Sequence, residues 1–175
     1  NTTVTAGSLH NQGGTVAATG QSALSLYVNG LLDNSAKGTL AADDDLTVSA
    51  SVLDNRGGAI QHAGDGTATV LAGQLQGAGG SIASNGTLDI GGTLTDFSGG
   101  NTFGERIRIH TGRLLNAGGK LIATGADQLL VRAVDGVDNS GGTIAGNGAL
   151  DLQAGSLANR DGTVQAAGDA ASRLH

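Results

Sequence analysis

The sequence predicts an all-β fold: a right-handed parallel β-helix, or solenoid, of about eight coils with about 21 residues per coil. Three observations lead there. A pattern of the form L-x-N-x-G-G-x-I recurs from one end of the chain to the other, its equivalents 19 to 23 residues apart. Between its copies lie short runs in which apolar residues occupy every second place, the period of a strand and not of a helix. The composition suits a core of stacked aliphatic side chains, with 32 glycines in 175 residues, two Phe, one Tyr, and no Pro, Met, Trp or Cys.

Each unit opens on an apolar residue two places before the Asn position, at Leu9, Leu32, Leu53, Leu75, Leu94, Leu114, Val137 and Leu157. The Asn position itself holds Asn11, Asn34, Asn55, Asn116, Asn139 and Asn159, with Gly77 and Asp96 in the two remaining units. Asn tolerates left-handed backbone, and its amide can bond both the turn and the Asn one coil away, so these six form a structural turn ladder. Glycines follow, as in Gly57-Gly58 and Gly141-Gly142, and permit positive φ in the bend. No G-x-G-x-x-G or Walker spacing opens a helix here.

An apolar residue then begins a strand, at Val16, Leu40, Ile60, Ile82, Leu121, Ile144 and Val164. A second, strictly alternating run comes next, as in Leu24-Leu26-Val28, Leu46-Val48-Ala50 and Ile107-Ile109-Thr111. A unit this short cannot bury its own apolar face, so it must stack on its neighbours. One full turn per unit sets each apolar position over its equivalent, with parallel strands about 4.8 Å apart and a rod roughly 40 Å long. Right-handed coiling is the expected hand for such connections.

The net charge of −6 provides no global positive field, so nucleic acid is not an expected partner. No apolar run reaches the length of a membrane helix, so the chain is not expected to be membrane-embedded. With no initiator Met and a repeat already under way at Asn1, residues 1–175 read as one β-helical segment of a much larger protein. A monomeric rod is the expected state.

No catalytic residue, cofactor or metal is assigned. The acidic residues are scattered among turns, and one Glu with three aromatics cannot line a polysaccharide-cleaving groove. His10, His62, His110 and His175 lie in different units at different phases, which argues against zinc. His62 either points inward, two places after Ile60, or is displaced by Ala63. Asp43-Asp44-Asp45 reads as a solvated turn.

Coil five departs most from the pattern and reads as carrying an insertion. It holds Phe97 and Phe103 and the only Glu, Glu105. Arg106, Arg108 and His110 alternate with Ile107 and Ile109 and so face outward, with Arg113 nearby. Phe97, Phe103, Arg106, Arg108, His110 and Arg113 are therefore the candidate partner contact, a basic spot on an acidic rod suited to a sulfated glycan or an acidic partner. The bland alternative is local pairing, for example of Arg108 with Asp89 one coil below.

The consensus L-x-N-x-G-G-x-I-x-A-x-G-x-L-x-L-x-A resembles the filamentous haemagglutinin repeat. The resemblance is best seen in Leu53-Asp54-Asn55-Arg56-Gly57-Gly58-Ala59-Ile60 and in Val137 to Leu152. It implies a large bacterial exoprotein, secreted or held at the cell surface and exported through an outer-membrane two-partner secretion transporter. It further implies an adhesin that contacts a host-cell receptor or glycan, or else the stalk of a contact-dependent growth inhibition toxin. The absence of cysteine agrees with that export route, because a periplasmic disulfide would obstruct threading of an unfolded chain.

Overall fold

A computed structural model describes residues 1–168 and 171–175, all of them strand, turn or irregular, with no helix. Among the described residues, seventeen strands join into one continuous sheet whose pairings are all parallel. The result is a β-solenoid of about eight coils spaced by about 21 residues, as the repeat demands.

Three strand segments make up each coil. In the second coil, Leu24–Val28 forms the first face, the chain bends at Asn29 and Gly30, Leu31–Asp33 forms the second face, and Thr39–Ala42 forms the third after the Asn34 turn. Residues keep constant register from coil to coil: Leu24 stands under Leu46, Leu46 under Ala68, and Ala68 under Leu88. Leu, Ile and Val fill these inward places because β-branched and aliphatic side chains pack on a pleated surface and stack on their own kind. The core is a set of vertical aliphatic columns that includes Leu26, Val48, Val70, Ile90, Ile109 and Val131.

The register corrects three readings of coil five. Phe97, not Asp96, continues the Asn column, since the Asn55 and Gly77 amides bond the carbonyls of Gln76 and Asp96, and the Phe97 amide bonds that of Leu115. Thr95, not Leu94, takes the inward place between Leu75 and Leu114. No insertion is present: Gly104 pairs with Ser84 and Arg106 with Thr87, so Glu105 alone spans a turn for which the coil below uses Asn85 and Gly86. Coil five is one residue short there, and like the coil below, Ser81–Asp96, it runs as one strand, from Asn101 to Leu115.

Candidate functional site

The Asn column is a hydrogen-bonded ladder in two pieces. Nδ2 of Asn11 donates to Oδ1 of Asn34 at 2.7 Å, and Nδ2 of Asn34 donates to Oδ1 of Asn55 at 2.8 Å. Above the break, Asn116 donates to Asn139 and Asn139 to Asn159, each at 2.7 Å. The second amide hydrogen goes to the carbonyl that opens the third face of the next coil, as from Asn34 to Ala59 at 3.0 Å. Gly77 and Phe97 interrupt the ladder. The Phe97 ring, 1% exposed, occupies the space that Gly77 leaves empty, a Cβ on Gly77 falling 3.5 Å from Phe97 Cδ1.

The residue just before the column does the turn chemistry that the sequence reading gave to Asn. Asp33, Asp54, Asp96 and Asp138 each accept the backbone N–H two places on, at 3.0, 3.1, 2.9 and 3.0 Å, which is an Asx-turn. Arg56 also clamps Asp54, its Nε donating at 2.9 Å, and holds that carboxyl below its ordinary range. Hydrogen bonds from Ser140 lower Asp138 in the same way. The signal was present as Asp-Asn at 33–34, 54–55 and 138–139.

The six residues proposed as a contact on coil five do not gather on one surface. Phe97 lies in the core, and Phe103 is half-buried on the outer side of the third face. Arg106 sits at the edge, paired with Asp127 and donating to Thr87 Oγ1 at 3.3 Å. Arg113 is exposed on the second face, in register with Leu94. Arg108 and His110 share the outer side of the first face, and Arg106 borders a second shallow depression, of about 300 Å³, with Arg108 and Asp127. Arg108 Nε lies 3.5 Å from Asp89 Oδ1, and both residues border a shallow depression of about 290 Å³ that Gly91 opens between Leu71 and His110. The Arg108–Asp89 pair is long for a hydrogen bond, and Asp89 Oδ1 is itself buried without a hydrogen-bond partner among the described residues, so the exposed guanidinium is the group left free to meet a partner.

His62 turns inward and is 3% exposed, beside Ala42 below and Ser84 above. Its Nδ1 lies 2.8 Å from Ser84 Oγ, while Nε2 has no hydrogen-bond partner among the described residues. Burial lowers its pKa from the ordinary value, against the opposing pull of Asp45, Asp44 and Asp65. The unfolded chain takes up this proton near about pH 6.5 and the folded chain resists it, so stability is retained above that pH and lost below it. Thermal melts between about pH 7 and about pH 5 are therefore expected to show a falling melting temperature. His62→Ala, which installs the residue found at Ala42 and Ala123 in the same column, should flatten that fall; an unchanged slope would discard the role of His62.

Among the described residues, no three His, Asp or Glu side chains converge as metal ligands, and no helix is long and apolar enough to cross a membrane. Stacked parallel coils with a broken Asn ladder and outward faces of differing charge define a parallel β-solenoid. The haemagglutinin repeat family model matches residues 1–26, 25–133 and 126–171, and the chain belongs to that family. No curated protein and no solved structure matches it.

Proposed function

We propose that this chain is a rigid adhesive segment of a large secreted bacterial surface filament, exported unfolded through an outer-membrane two-partner secretion transporter. The observation that carries the reading is the unbroken parallel register of coils that carry the haemagglutinin repeat along the chain. Every coil pairs only with the coils above and below it, so each can fold on its predecessor as it emerges from a pore. A chain without cysteine has no disulfide to impede that passage. Its contact with a host or neighbouring cell is centred on Arg108 and His110, with Arg106 and Arg113 on the flanking edges, and its partner is an acidic surface such as a sulfated glycan.

Beads coated with the chain are expected to bind cells. The combined Arg106→Ala, Arg108→Ala and Arg113→Ala variant should bind about tenfold less, three exposed ionic contacts of about 0.5 kcal/mol each being lost. A matching thermal melt for the variant confirms that the rod is intact. Equal binding moves the contact off coil five, and absence of binding by the native chain reduces the role to that of a spacer or toxin stalk.

A further inference from the structure

The outer side of the third face differs from the rest of the surface. The first face carries Asp89, Arg108, Arg132 and Asp151 outward, whereas every outward position of the third face except Lys120 is uncharged. Read upward through coils three to eight, one of its two outward columns is Gln61, Ala83, Phe103, Ile122, Ala145 and Gln165. The order is the same by size and polarity from either end. Phe103 and Ile122 stand side by side at its centre, directed away from the core and only half-covered.

We propose that this face packs against a second copy of the chain, two rods lying side by side and antiparallel about a two-fold axis. The axis runs along the strands between Phe103 and Ile122. Rotation about it sets Phe103 on Ile122 of the second copy, Ala83 on Ala145, and Gln61 on Gln165, so one patch supplies both halves of an isologous contact. Lys120 then lies over Asn101 of the second copy, in register with it across the axis, and the two lysines do not meet.

Charge selects this face over the others, and area sets the strength of the contact. A chain of net charge −6 repels its copy, and the third face is the side on which two rods approach with least charge to desolvate. Four residues across at about 3.3 Å each, over the six coils that overlap at about 4.8 Å, make roughly 380 Å² per rod. The pair buries roughly 760 Å², below the range of stable interfaces and within that of weak, transient ones. Association of this chain is accordingly weak, and it strengthens with every coil added to the rod.

Sedimentation from about 10 μM to about 1 mM is expected to show a reversible dimer with Kd on the order of 100 μM. Phe103→Lys combined with Ile122→Lys should weaken it by at least about tenfold while leaving the thermal melt in place. Because the chain lacks cysteine, single replacements report position cleanly. A mixture of Ala83→Cys and Ala145→Cys chains treated with a short bismaleimide should cross-link mainly between the two variants, and Thr47→Cys on the first face should not cross-link. A chain that stays monomeric at the highest concentration overturns the proposal. So do dimers that survive both lysines, which point to pairing through the end coils, or lysines that abolish cell binding and leave self-association untouched. Sedimentation and cross-linking read self-association alone, and adhesion is read separately with cells.

Discussion

Gly58→Ala is expected to disrupt the stacking of the second and third coils, whereas Gly57→Ala, one residue earlier, should be tolerated. The two glycines look alike in sequence and are needed for different reasons. Gly57 has φ +63°, and a Cβ there would meet nothing within 4 Å, so alanine costs only the left-handed backbone, about 1–2 kcal/mol. Asp161, with φ 54°, shows another residue accepting the same conformation at the equivalent place. Gly58 has no such backbone demand, but a Cβ on it would stand 2.0 Å from the carbonyl oxygen of Asn34 in the coil below and 2.8 Å from Asn55 Oδ1. Neither atom can retreat without opening the ladder. A cost of about 4 kcal/mol or more is expected, which for a chain of this length lowers the melting temperature by about 8–16 °C. Thermal melts of the two variants check it, and hydrogen exchange localises the opening to coils two and three. Equal melting temperatures would refute the distinction between conformational and close-approach glycine.

The same pair marks how far the sequence could be read. A repeat that returns through the chain makes the solenoid legible, because stacking is the only way such short units bury Leu53, Ile60 and their equivalents. Matching residue types succeeded wherever the column holds Asn or Gly. In coil five it slipped by one residue: Asp96 resembles Asn, and Leu94-Thr95-Asp96 mimics Leu-x-Asn. The structure instead places Asp96 in the flanking column of Asx-turn aspartates with Asp54 and Asp138, and sets Phe97 inward.

Phe97 among Ser98, Gly99 and Gly100 looks like a loop residue. Its burial depends on Gly77, 20 residues earlier, leaving room below it. The orientation of His62 likewise depends on Ala42 and Ser84 being small, and the neutral third face exists only once the columns are in register. Each of these is a relation between coils, whereas pattern-reading within a coil sees only its own alternation.

Asn34→Ala should be more damaging than Asn116→Ala, although both side chains are fully buried. Asn34 accepts from Asn11 and donates to Asn55 and to the Ala59 carbonyl. Its removal strands groups on both sides, and a loss of about 3–5 kcal/mol is expected for a buried network broken at its middle. Asn116 stands above Phe97, and its Oδ1 is buried with no donor, so that rung carries an unmet acceptor already. Truncating it removes the donations to Asn139 and the Thr143 carbonyl and a long one, 3.4 Å, to the Gly119 carbonyl, but no hydrogen bond from below. The two variants should therefore differ by about one hydrogen bond, about 1–1.5 kcal/mol, with Asn34→Ala the less stable in urea titrations. Equal losses would mean that each Asn serves only its own turn. A difference in the expected direction makes the asparagines a cooperative column that Phe97 terminates, and coil five then becomes the place where the rod is least tightly tied.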